Sequence, residues 1–158
     1  GDVYKRQHLY VKRGVPAAPV DCGPSIPAVA AEVKVRGTAV TVVSAHLAHS
    51  AGAEETRLRQ VQYIVRTCGQ GSLVLLGDLN VREAEMAEVR KAGKFSEAVC
   101  AGKSWGPQRN QFHADLRGRK DVAGQAFDRV LFAGEVFVQA YMGGRGEAVP
   151  RRHRGLSV

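Results

Sequence analysis

The chain reads as an α/β (α+β) domain, and two observations carry that reading. β-branched and apolar runs of strand length flank an amphipathic helix, and the run that follows the helix is a short, continuously apolar segment of the kind a buried strand shows. Hydrophobic residues make up 44% and charged residues 24% of the 158, which fits a folded globular protein rather than a disordered or fibrous one.

The elements follow in order. Residues 14–27, with Pro16, Pro19, Pro24, Pro27, Gly14 and Gly23, read as a loop, because proline fixes φ and glycine supplies turns. Val29 to Val35 and Thr38 to Ser44 are β-branched runs separated by Arg36-Gly37, a hairpin or closely spaced strand pair. Glu54 to Cys68 carries Leu58, Val61, Val65 and Cys68 at helical spacing. Acidic Glu54 and Glu55 open it, Arg66 lies in its last turn and Gly69 follows, so both end signals are present. Leu73-Val74-Leu75-Leu76 follows Gly69-Gln70-Gly71 as the buried strand. Arg82 to Lys91 reads as a short helix, Ala126 to Phe132 and Glu135 to Tyr141 as strands, and Gly102 to Gly124 as a polar loop. Internal repeats and low-complexity tracts are not evident.

Apolar runs all fall well short of the ~20 residues of a membrane span, so membrane insertion is not expected. Cys22, Cys68 and Cys100 are odd in number and lack Cys-x-x-Cys spacing, which indicates neither a disulfide framework nor a zinc knuckle; they read as reduced thiols in an intracellular protein of unknown compartment. The opening Asp2-Val3-Tyr4-Lys5-Arg6-Gln7 looks like the translation of a transposon end used in sequencing libraries. Residues 1–7 therefore read as an adapter scar, or else as a polar N-terminal arm, and residues 8–158 as a partial domain. The basic C-terminal segment, with Arg145, Arg151, Arg152 and Arg154, also reads as cut or out of frame.

The chemistry concentrates after the buried strand, in Gly77-Asp78-Leu79-Asn80. In an extended segment Asp78 and Asn80 share one side, at the strand end where open α/β sheets place ligands. An Asp can orient a metal-activated water and an Asn can bind a phosphate oxygen without adding negative charge. Alone, the tetrapeptide also fits an ordinary Asx turn. His46 follows the strand ending at Ser44, Asp128 sits in Phe127-Asp128-Arg129-Val130-Leu131, and His153 lies near the end.

Together, Val42-Val43-Ser44-Ala45-His46-Leu47, the helical Arg57-Leu58-Arg59-Gln60, Leu75 to Asn80, and Phe127 to Leu131 resemble, in order and spacing, the endonuclease/exonuclease/phosphatase (deoxyribonuclease I-like) superfamily. The resemblance runs from about Ala28 to Leu156, the later part of a family domain. It implies a two-sheet β-sandwich flanked by helices, N-terminally incomplete, and a hydrolase: a phosphodiesterase of nuclease type that depends on Mg2+ or Mn2+. It further implies that Asp78 and Asn80 bind the metal, that Asp78 orients or deprotonates the attacking water, and that Asn80 holds the scissile phosphate. His46 would contact a phosphate oxygen, and Asp128 would pair with His153. Trp105, Arg109 and Asn110 would contact substrate from the loop before the Asp-Arg strand.

Two departures from the family pattern stand out. The family's early metal-binding Asn and Glu have no counterpart here, and Arg151-Arg152-His153 stands where a Ser-Asp-His motif is usual. His153 thus also reads as one more solvated group in a basic tail, Asp128 as half of an Asp-Arg surface pair, and His46 as a satisfied strand-end histidine. His49 lacks a third ligand at zinc spacing. The formal charge of +8 favours phosphate-rich partners, nucleic acid first. Lys103, Arg109, Arg117, Arg119 and Lys120 bracket Trp105, Phe112 and His113, a group suited to gripping a backbone and stacking a base, or to a solvated loop.

A phosphate-containing substrate, a monomeric state and little hydrolysis by these 158 residues alone are therefore expected. The competing reading is a non-catalytic nucleic-acid-binding or interaction domain on the same fold.

Overall fold

Arg36 and Gly37 take the positive φ values, 50° and 85°, that a two-residue hairpin turn requires, because such a turn matches the twist of the strands it joins. The strands are β2 (Ala28–Val35) and β3 (Thr38–Ala45), antiparallel from Val35 opposite Thr38 to Ala28 opposite Ala45. The structure, a computed structural model, describes residues 7–98, 126–139, 141–142 and 156–157.

Upstream of the hairpin, part of the segment expected to be loop is a strand, β1 (Ala17–Val20), antiparallel to β2. It lies at the sheet edge, where Pro19 can sit opposite Ala31 without interrupting a ladder on its outer side. Helix α1 (Glu54–Cys68) has the ends its sequence signals, and it returns the chain to β4 (Ser72–Asp78), which runs parallel to β3. A crossover helix is what a parallel neighbour needs.

Beyond β4, a 3-10 turn at Glu83–Glu85 leads into α2 (Met86–Gly93), and a two-residue strand β5 (Ser96–Glu97) follows. β6 (Asp128–Ala133) lies between β4 and β5, antiparallel to both, so the sheet order is β1-β2-β3-β4-β6-β5. Among the described residues the second sheet is a two-stranded ribbon, β7 (Tyr141–Met142) with β8 (Leu156–Ser157). Of the described residues in the strand expected over Glu135 to Tyr141, only Tyr141 is in a strand. Phe137 is exposed, while Val136 and Val138 pack against the sheet without joining it, so their alternation reflects packing rather than strand pairing.

The pleat sends alternate residues to two cores. One face gathers Val43, Ala45, Leu73, Leu75 and Leu131 under Val61 and Ile64 of α1 and Met86 and Val89 of α2. The opposite face gathers Val33, Val40, Val74, Val130 and Val138. Among the described residues no helix is long and apolar enough to cross a membrane.

Candidate active site at the carboxyl end of β4

Gly77 has φ 124°, and a Cβ there would lie 2.3 Å from the Ala45 carbonyl oxygen. Only glycine lets β4 approach β3 this closely while turning toward the site. Past the ladder, the Leu47 N–H donates to the Asp78 carbonyl (3.1 Å) and the Leu79 N–H to the Phe127 carbonyl (2.9 Å), so the exits of β3 and β4 and the entry to β6 are tied together. Leu79 and Val81 are fully buried and anchor the segment in the core.

This arrangement brings His46, Asp78, Asn80 and Asp128 to one end of the sheet. Asp128 is the register partner of Asp78 on the adjacent antiparallel strand, and directly opposed residues share a face. His46 Nε2 lies 3.9 Å from Asp78 Oδ2. Asn80 departs from the extended geometry expected for it. It takes φ 51°, a left-handed conformation that asparagine tolerates, and its buried side chain donates from Nδ2 to the Leu47 carbonyl at 3.1 Å.

The electrostatics single out Asp78. Its Oδ1 is buried without a hydrogen-bond partner, although the side chain as a whole is 42% exposed. Burial pushes its carboxyl above the ordinary range and the neighbouring Asp128 adds to this, against the lowering influence of His46, the Asn80 N–H and Arg82. An orphaned oxygen beside a second carboxylate suits a divalent cation, whose charge would offset both. Among the described residues no group of three or more His, Cys, Asp or Glu could hold a metal, so Asp78 and Asp128 supply only part of a coordination shell. Mg2+ commonly keeps several waters and takes one or two carboxylates, so the pair fits that ion.

Three arginines brace the site, and sequence reasoning assigned them no role. Arg57, fully buried on α1, donates to both Glu85 carboxylate oxygens (2.8 and 2.6 Å) and to the Ala48 and Ser50 carbonyls (2.9 and 2.7 Å), fixing the loop that leaves His46. Gln60 accepts the Ala48 N–H at 3.0 Å, so two residues of the Arg57-to-Gln60 motif hold one loop residue. Arg82 donates to the Asn80 and His49 carbonyls and lies 5.0 Å over the Phe127 ring. Arg129, next to Asp128, is buried against the Val81 carbonyl, Glu97 and Glu83. For Arg57 and Arg129 the signal was there in the motifs that carry the resemblance; Arg82 lies outside them.

His49 is exposed and contributes only its carbonyl. Trp105, Arg109, Asn110 and His153, and the basic cluster from Lys103 to Lys120, lie outside the described residues, as does the expected pairing of Asp128 with His153.

Neither family models nor the curated proteins match this chain. Solved structures do. A Staphylococcus aureus beta toxin mutant with bound magnesium ions is 18% identical over 72% of this chain and 45% of that one, with a TM-score of 0.58. Sphingomyelinase C from Streptomyces griseocarneus is 25% identical over 72% and 45%, at 0.55, and a humanized D. rerio TDP2 is 16% identical over 80% and 54%, at 0.51. These are deoxyribonuclease I-like folds of the endonuclease/exonuclease/phosphatase superfamily, and this chain has that fold. It spans about half the length of the solved structures it matches.

Proposed function

We propose that the whole protein is a metal-dependent phosphoesterase that hydrolyses phosphodiester bonds, in nucleic acid first. The observation that carries this reading is the partnerless, buried Asp78 Oδ1 at a strand end that also gathers His46, Asn80 and Asp128. Asp78 and Asp128, with Asn80 as a further ligand, would hold a Mg2+ or Mn2+ ion, which when bound supplies charge neutralisation for the phosphoryl transition state.

The chain's own groups divide the remaining work. Asp78 orients the attacking water and takes its proton. His46 donates to a phosphate oxygen. Asn80, held by its bond to Leu47, presents a neutral amide to the scissile phosphate. Asp128 pairs with His153, and Trp105, Arg109 and Asn110 contact substrate. The charge of +8 supports a polyanionic substrate over an isolated phosphodiester.

The test is turnover of bis-p-nitrophenyl phosphate, labelled single-stranded DNA, RNA and sphingomyelin vesicles by the full-length protein, with Mg2+ and with EDTA. Metal-dependent cleavage is expected, fastest on nucleic acid, and Asp78→Ala should lower it by about 10²–10⁴-fold. Cleavage of sphingomyelin alone would move the substrate to lipid. Salt-sensitive nucleic-acid binding without turnover of any phosphodiester would replace the enzyme with a binding domain.

A further inference from the structure

Two cysteines that read as unrelated thiols in sequence meet in the fold. Cys22 lies in the loop between β1 and β2, and Cys68 is the last residue of α1. Both are buried, and their sulfurs are 3.2 Å apart. The loop is seated on the helix by more than this contact: Gly23, at φ 72° where glycine is favoured, brings its backbone against the Tyr63 hydroxyl. A third tie leads toward the site, because the Pro27 carbonyl at the end of the same loop accepts the His46 N–H at 3.0 Å.

The geometry points to Cys22 and Cys68 as a disulfide-forming pair that staples the β1–β2 loop to the end of α1 under oxidising conditions. The reaction is exchange with a low-molecular-weight disulfide such as oxidised glutathione. Each cysteine gives up its S–H bond, one S–S bond forms between them, the small disulfide is cleaved, and its two halves leave as thiols carrying the two protons. In a reducing environment the pair remains two thiols sharing a hydrogen bond.

Burial pushes the Cys22 thiol up to about 12, with the neighbouring Cys68 adding to the rise, so the closed fold holds little thiolate. Exchange therefore proceeds before the loop docks on α1 or when it lifts away, and mild denaturant should accelerate it.

The experiment refolds the full chain in a glutathione redox buffer, in parallel with refolding in a phosphine reductant, and repeats both with Cys100→Ala. The oxidised samples should lose the mass of two hydrogens, and their digest should contain a peptide joining residues 22 and 68. Melting should occur roughly 10 °C above the reduced sample, the scale set by closing a loop of this length in the unfolded chain. In the Cys100→Ala background, Cys22→Ala should abolish the mass change. Alkylation of both Cys22 and Cys68 after oxidative refolding would overturn the proposal, and so would a digest in which Cys100 is the partner of either.

Discussion

The Arg57 guanidinium and one oxygen of the Asp78 carboxylate are both withdrawn from water, and the fold treats them in opposite ways. Arg57 is fully buried, and its guanidinium meets Glu85 and two backbone carbonyls. Asp78 keeps one oxygen buried with no partner and faces a second carboxylate across the strand pair. Arg129, too, is held, by Glu83, Glu97 and the Val81 carbonyl. Buried polar groups are normally satisfied, so the one left unsatisfied among the described residues is the candidate point for a group from outside the chain. Satisfied charges hold the loops in place, and the unsatisfied oxygen is the one the proposed metal would engage.

Removing the satisfied partner is the sharpest way to break that contrast. Arg57→Ala strands Glu85 and two carbonyls and should cost about 3–5 kcal/mol, read as a lower denaturant midpoint at unchanged slope. Arg57→Lys should recover little of it, since an ammonium cannot reproduce the forked contact with Glu85. A loss below about 1 kcal/mol would show that the buried pair contributes no more than a surface one.

Gly77→Ala comes next. It forces a side chain into φ 124° and against the Ala45 carbonyl, and should destabilise by about 2–4 kcal/mol in the same titration. A neutral result would mean that β3 and β4 separate easily at the site.

The smallest effect has the opposite sign. Because the folded state raises the Asp78 carboxyl above its ordinary value of 3.8, the native protein binds that proton more tightly than the unfolded chain, and stability falls as pH rises between the two values. Once pH exceeds both values the penalty is complete, and Asp78→Asn should then melt about 2 °C above the wild type, a gain kept small by the exposure of the other oxygen. Below the ordinary value both states are protonated and the gain should vanish. A lower melting temperature above both values would mean that the carboxylate is satisfied after all.

Much of this arrangement is legible in the chain. The acidic first turn and Gly69 frame α1, Arg36-Gly37 marks the hairpin, and the run Leu73 to Leu76 identifies β4. His46, Asp78 and Asp128 converge because strand ends in such a sheet deliver their next residues to one rim. β1 is hidden by its proline, and β5, two residues long, has no period to detect. Arg57 occupies a position where helical spacing admits a core residue, yet its charge argues for solvent, and only Glu85 and the loop carbonyls explain its burial. The left-handed turn at Asn80 is likewise a tertiary fact, fixed by the Leu47 carbonyl rather than by its neighbours in sequence.

The pairing of β4 with β6 also sets the order in which the molecule assembles. The hairpin closes over two residues, and α1 brings β4 beside β3 across a modest span, whereas Asp128 reaches Asp78 only after residues 79–127 have been looped back. Loop-closure entropy and contact order make that the late event. A chain stopped just before it would hold most of its helix and hairpin, give a near-native far-ultraviolet spectrum, and lack the second carboxylate. Secondary structure and the pairing of Asp78 with Asp128 are therefore expected at different times, and refolding followed by the far-ultraviolet signal and by hydrogen exchange at β4 and β6 would separate them.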